Sequence, residues 1–234
     1  MTISIFDLFS IGIGPSSSHT VGPMKAAYHF VHSLSVQQLL KQTHSIQVEL
    51  YGSLALTGKG HGTDTAILNG LEGQWPATVE PDQMVPRAQV ITSSQSLNLM
   101  NAHTITFNAK QDIIFHYKEL LPLHTNGMRF TALDLHHHTI STHVFYSIGG
   151  GFIITPEEIT NPHADIILPY PFTSAEELLD LCNTHQLSIS DIMLANEKAL
   201  HPEYDIDKKI LEIANVMEQC IKSNCVRIHE IKTL

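Results

Sequence analysis

Basic side chains are scarce in this chain. Its 234 residues carry 13 Lys and Arg against 23 Asp and Glu, a formal net charge of −10. A general nucleic-acid surface needs clustered Lys and Arg, so nucleic acid is not an expected partner. The same shortage leaves no polybasic patch for an anionic membrane. No apolar run approaches the roughly 20 residues of a membrane-spanning helix, and the start lacks the charged and apolar regions of a secretory signal. A cytoplasmic location is expected, with no membrane partner. Cysteine is also sparse. Cys182, Cys220 and Cys225 all fall in the last quarter, and an odd, small set does not build a secreted disulfide scaffold. Internal repeats and low-complexity tracts are absent. The hydrophobic share, 43%, suits a globular core, and the length allows one or two domains. Histidine is the abundant exception, at 16 residues. It titrates near neutral pH and ligates metals, so each one needs context.

Residues 1–157 mix strand and helix patterns. Residues 21–34 place Met24, Ala27, Phe30, Val31 and Leu34 on one helical side, with Pro23 suited to the first turn. Ser45–Tyr51 alternates Ile46, Val48 and Leu50 inward, a half-buried strand ended by Gly52. Residues 63–71 predict a short helix. His103–Phe107 and Asp112–Tyr117 are expected to pair about a turn at Asn108–Gln111, and Met128–Leu135 to pair with Thr139–Ile148. Pro156, Pro162, Pro169 and Pro171 then break regular structure and predict a linker over 158–171. Residues 172–234 read as helical. Thr173 or Ser174 caps a first helix, Ser188 a second, and Asp205 or Asp207 a third. The expected fold class is α/β (α+β): a front domain with a mixed or antiparallel sheet and packed helices, then a partial all-α segment.

Four segments carry candidate chemistry. Ser16-Ser17-Ser18-His19-Thr20 precedes the first helix. One hydroxyl suffices to cap a helix. The surplus, with the anion-attracting helix start, reads equally as a capped turn or as a pocket for a small carboxylate. Gly58-Lys59-Gly60-His61-Gly62-Thr63-Asp64 allows close backbone approach to a ligand. It departs from the phosphate loop, because Ser53 stands at the leading glycine position and Gly60 at the required Ser or Thr. His124-Thr125-Asn126-Gly127-Met128-Arg129 brings an imidazole, an amide and a guanidinium to a turn. Ser147-Ile148-Gly149-Gly150-Gly151 suggests a close approach, a bulge or a hinge. The His136-His137-His138 run with His143 is discounted as a metal cluster, since consecutive strand residues point to opposite faces. Cys220 and Cys225 are too few thiolates to close a zinc or iron–sulfur site.

Together these stretches resemble the bacterial iron–sulfur-dependent L-serine dehydratases (L-serine ammonia-lyases). The resemblance rests on Ser4-Ile5-Phe6-Asp7-Leu8-Phe9 leading into Ile11–Pro23, on Tyr51-Gly52-Ser53-Leu54-Ala55 through Asp64, on His124–Phe130, on Tyr146–Phe152, and on Met193-Leu194-Ala195-Asn196-Glu197. It implies a β-domain over 1–157, similar to the allosteric substrate-binding domain of some 3-phosphoglycerate dehydrogenases, and the start of a helical α-domain over 172–234. It implies α,β-elimination of water from L-serine, giving pyruvate and ammonia, at a [4Fe–4S] cluster. By resemblance, His61 and His19 are the acid/base residues, with His61 favoured as base. Ser16, Ser17, Ser18, Thr20, Lys59, Thr63, His124, Asn126 and Ser147 bind or orient substrate. Family members are about twice as long, and none of the three cysteines maps onto their cluster ligands. The expectation is therefore an incomplete chain, inactive alone, working as a homodimer or with a cluster-bearing second polypeptide. A serine-binding regulatory module without catalysis is the alternative. A pyridoxal-phosphate lyase is disfavoured, because Lys59 lacks a matching phosphate cradle.

Overall fold

The structure, a computed structural model, describes residues 4–160 and 166–232, with side chains described through residue 222. In chain order the helices are α1 (Ile5–Leu8), α2 (Gly22–Val36), α3 (Gly52–Thr57), α4 (Thr63–Leu71), α5 (Pro81–Ser94), α6 (Ala109–Asp112), α7 (Pro156–Thr160), α8 (Ala175–His185), α9 (Ile189–Leu200) and α10 (Ile206–Lys232). The strands are β1 (Ser45–Tyr51), β2 (Ser96–Leu99), β3 (His103–Thr106), β4 (Ile113–His116), β5 (Gly127–Leu133), β6 (Thr139–Gly149) and β7 (Phe152–Ile154). A π-helical turn, Ser17–Val21, runs directly into α2, and a 3-10 turn spans Gly58–His61. Contacts divide the chain into Gly12–Pro162 and a helical unit that joins Met1–Ile11 to His163–Leu234.

The front unit is built on a five-stranded sheet in the order β4-β1-β5-β6-β7. Only the β1–β4 pair is parallel, so the sheet is mixed and the unit is α+β. Alternation along β1 sends Ile46, Val48 and Leu50 to one face, opposite Ala132, Phe130 and Met128 of β5, and all six are fully buried. The apolar stripe of α2, from Met24 through Leu34, covers part of that face. Phe30 stacks on Phe130 with ring centroids 5.4 Å apart. Each such side chain contributes about 1.5–3 kcal/mol by leaving water. Helix α4 packs beside α2 and adds Ile67, Leu68 and Leu71 to the same core. The opposite face of β1 carries Glu49 and Tyr51, paired with Arg129 and His116.

The expected pairing of His103–Phe107 with Asp112–Tyr117 is corrected. Strand β3 pairs with β2, and β4 pairs in parallel with β1. Between them, Asn108 accepts from the Lys110 N–H at 3.1 Å and its own N–H donates to Asp112, so the expected hairpin turn is the helical turn α6. That turn carries the chain from the hairpin to the edge of the main sheet. Helix α5 is an addition: Pro86 lies inside it, while Met84, Ala88 and Ile91 form its buried stripe. The glycines 149–151 lie at the β6–β7 turn, where the pairing register shifts. Within the expected linker, 158–160 complete α7, and Pro162 lies outside the described residues.

In the helical unit the caps are Ser174, Ser188 with Asp191 as a reciprocal box, and Asp205. The N-terminal segment is latched to α9. Glu197, nearly buried, accepts the Ile5 N–H at 2.7 Å and the Ser4 hydroxyl at 2.9 Å. Phe6 meets the edges of His201 and Tyr204. Beside Glu197, Asn196 exchanges two hydrogen bonds with the Tyr170 backbone. No helix among the described residues is long and apolar enough to cross a membrane.

Candidate active site

The π-helical turn sets the site. Ser16 caps it, accepting the His19 N–H at 3.1 Å. Ser17 and Ser18 open the helix, so their own N–H groups have no intrahelical acceptor. Ser17 is exposed and Ser18 half-buried. Two buried threonines then tie this turn to the Gly58–His61 turn by reciprocal hydrogen bonds. Thr20 Oγ1 donates to the His61 carbonyl at 2.8 Å, and Thr63 Oγ1 donates to the His19 carbonyl. Each histidine's backbone is thereby held by the other turn's threonine. The two imidazoles end up with centroids 5.0 Å apart and planes inclined by 43°.

The pair is chemically asymmetric. His61 Nδ1 lies 2.9 Å from the Thr57 carbonyl. A carbonyl only accepts, so Nδ1 carries the hydrogen and, in the neutral ring, Nε2 carries the lone pair. That Nε2 has no hydrogen-bond partner among the described residues. His19 has both nitrogens engaged: Nδ1 with Ser18 Oγ at 2.9 Å and Nε2 with Ser53 Oγ at 3.0 Å. Burial, and then the neighbouring His61 charge, hold its pKa below the ordinary value, against a hydrogen bond from the ring to the Ser53 backbone that raises it. His19 is a positioned neutral donor or acceptor, and His61 is the ring with a free lone pair.

The third and fourth segments reach the same turn by short links. Ser53 N donates to the Thr125 carbonyl at 3.1 Å. Gly52, at φ +55°, makes this approach, since a Cβ there would lie 2.3 Å from that carbonyl. The turn is closed by Asn126 N donating to His124 Nδ1 at 3.1 Å. Asn126 Nδ2 donates to the Ser147 carbonyl at 3.1 Å, and Ser147 N returns a bond to the Asn126 carbonyl. Ser147 is fully buried beneath Gly22, where a Cβ would lie 2.1 Å from its hydroxyl. Ser147 Oγ and Asn126 Oδ1 are both buried without a hydrogen-bond partner. Unpaired buried polar atoms cost about 1–3 kcal/mol each.

The structure thus brings together Ser16, Ser17, Ser18, His19, Thr20, His61 and Thr63, and links His124, Asn126 and Ser147 to them. Lys59 turns elsewhere: its Nζ lies 4.9 Å from the centroid of the Phe115 ring. Ser53 is the member that sequence reasoning did not single out. Its position 34 residues from His19 gives no local signal.

The thiols do not fit an iron–sulfur cluster, which takes Cys₄ ligation in its usual form. Of three cysteines, Cys182 on α8 is half-buried and Cys220 on α10 is exposed, while Cys225 lies outside the described side chains. Among the described residues no group of three or more His, Cys, Asp or Glu is placed to hold a metal. The His136–His138 run is an exposed turn whose His136 and His138 N–H groups donate to Asp134.

A mixed sheet backed by helices, with paired imidazoles beside a hydroxyl-rich helix start, defines an α+β domain that carries a cluster of polar side chains. The chain belongs to the family described as serine dehydratase beta chain, which it matches over residues 4–158. It is 45% identical to the L-serine dehydratase of Streptomyces coelicolor, over 97% of this chain and 50% of that protein. Against L-serine dehydratase TdcG of Escherichia coli the identity is 46%, over 94% of this chain and 48% of that protein. The Helicobacter pylori L-serine dehydratase is 38% identical over 94% of this chain. The chain spans about half the length of the curated relatives it matches.

Proposed function

We propose that this chain supplies the substrate-holding and proton-removing side of a cytoplasmic L-serine ammonia-lyase. The substrate carboxylate sits on the open N–H groups and hydroxyls of Ser17 and Ser18, at the positive end of the π turn and α2. Ser16, Thr20 and Thr63 hold the cradle rather than the substrate. Asn126 Oδ1 and Ser147 Oγ, unpaired and buried, accept from the substrate ammonium or hydroxyl, and His124 braces their turn. His61 Nε2 takes the Cα proton. His19, kept neutral, orients the pair without repelling a cationic amino group. Loss of the Cα proton and the β-hydroxyl gives the enamine, which becomes an imine and adds water to leave pyruvate and ammonia.

The [4Fe–4S] cluster implied by the resemblance is assigned, in this reading, to a cluster-bearing second polypeptide. The reading rests chiefly on one observation, the free Nε2 of a His61 ring whose centroid lies 5.0 Å from that of a neutral His19. The test is a chimaera in which this chain replaces the matching half of the Streptomyces coelicolor relative. It is expected to form pyruvate anaerobically from L-serine. His61→Gln is expected to lower that rate by a factor of about 10²–10⁴, the range for a lost general base. Unchanged turnover in the variant contradicts the assignment.

A second reading, a serine-binding module without catalysis, is favoured by the poor fit of the described thiols to a cluster. Calorimetry with L-serine and D-serine beside the pyruvate assay separates the two: stereoselective binding with no turnover in the chimaera selects the module.

A further inference from the structure

A groove in the front unit is lined by neither His19 nor His61. It has a volume of about 560 Å³ and runs between α4, α5 and the α6–β4 segment. That size falls within the range of small-molecule sites. Its apolar lining is Leu68, Ala88 and Ile113, all buried, with the Phe115 ring beside them. Its polar lining carries both signs of charge. Lys59 and Lys110 bring ammonium groups and Asp64 a carboxylate.

Among the described residues, none of these three charges has an ion-pair partner. Among the described residues, no carboxylate lies within ion-pair distance of Lys59 or Lys110. The Asp64 carboxylate accepts only the N–H of the next residue, Thr65, at 2.9 Å. Lys59 Nζ stands over the Phe115 ring instead. Two cations without an ion-pair partner among the described residues thus line one groove. Thr92 Oγ1 donates into its own helix at the Ala88 carbonyl, which leaves its oxygen lone pairs available to a donor.

The combination selects a ligand class. A simple anion satisfies the lysines and meets Asp64 as a like charge. A simple cation does the reverse. A zwitterion satisfies both, and the apolar lining suits an aliphatic side chain. We infer that this groove binds a small zwitterionic α-amino acid with an aliphatic side chain, its carboxylate toward Lys59 and Lys110, its ammonium toward Asp64, and its side chain over Leu68, Ala88 and Ile113. The site is separate from the one proposed for L-serine, and neither reading depends on the other. Lys59 is nonetheless two residues from His61, so both sites share one turn.

The test is a backbone-amide NMR titration of the full chain with L-leucine. Saturable shifts at Asp64, Thr92 and Lys110, with Kd in the millimolar range, are expected. Leucinamide, which lacks the carboxylate, and 4-methylpentanoate, which lacks the ammonium, are each expected to bind at least about threefold more weakly, the scale of one exposed ion pair. Lys110→Ala and Asp64→Asn are expected to weaken L-leucine by a similar factor while the amide dispersion of the folded chain is retained. The analogue arm needs no variant, so a folding defect leaves the test intact. Absence of saturation up to about 50 mM overturns the inference. So does 4-methylpentanoate binding as tightly as L-leucine, which marks a carboxylate site only. Shifts confined to Ser17, Ser18 and His61 overturn it as well, since they place the amino acid in the other site.

Discussion

The two turns that carry His19 and His61 are predicted to be energetically coupled through Thr20 and Thr63. Valine is close in shape to threonine and removes only the hydroxyl. Thr63 is fully buried and Thr20 nearly so. Thr63→Val leaves the His19 carbonyl without its donor, and Thr20→Val does the same to the His61 carbonyl. Each loss costs about 1–3 kcal/mol, a change of roughly 5- to 150-fold in a local opening equilibrium. Because the chain comprises two units, a single global unfolding free energy is the wrong readout. Amide hydrogen exchange is the right one, read at the start of α2 and in α4, where local opening is reported residue by residue. The double variant closes the cycle. With the turns already parted by one substitution, the second costs less, so the interaction energy is about 0.5 kcal/mol or more. The reasoning is refuted if each variant changes protection by less than twofold and the two effects simply add.

Glu197→Leu removes the acceptor for the Ser4 hydroxyl and the Ile5 N–H. The protection of the Ile5 amide is expected to fall by an amount equal to about 1–3 kcal/mol, and limited proteolysis near the N-terminus to speed up. Tyr51 is pushed up to about 12, by burial first and then by its bond to Glu49. Glu49→Gln is therefore expected to bring its ionisation down in an ultraviolet absorbance titration, and no movement contradicts the assigned cause. Burial lowers the pKa of His19, His29 and His143 from 6.5, with His61 adding at His19 and His32 and Lys25 adding at His29. Such groups bind fewer protons folded than unfolded, so their contribution is full above pH 6.5 and is lost as pH falls through the folded values. The melting temperature of the front unit is expected to drop on acidification from pH 7 to about 5, and a rise contradicts the burial of these rings.

Elements whose signal is local were legible in the sequence. The stripe of α2, the alternation of β1 and the Ser174 and Ser188 caps depend on spacing within one element, and each is found where spacing puts it. The parallel β1–β4 pair was not legible. Neighbouring apolar runs suggest a hairpin, whereas Val48 meets Ile113 across 65 positions, and only the α6 turn explains why the nearer pairing is forgone. Pro86 concealed α5 because proline argues against a helix interior. At the site, the hydroxyl cluster and the glycine-flanked His61 drew attention by composition. Their mutual fixing through Thr20, Thr63 and Ser53 is tertiary and leaves no mark on spacing. The Ser4–Glu197 contact spans 193 positions and is likewise invisible to any local pattern.

The central claim is that the front unit forms a cradle for L-serine beside His61. Its most direct test is an L-serine titration of the chain followed by backbone and imidazole NMR. The account predicts saturable shifts at Ser17, Ser18, Asn126 and Ser147, together with a change at His61 Nε2 and none at Thr92 or Lys110. Titration to saturation with these resonances unmoved, or shifts gathered elsewhere on the unit, would contradict it.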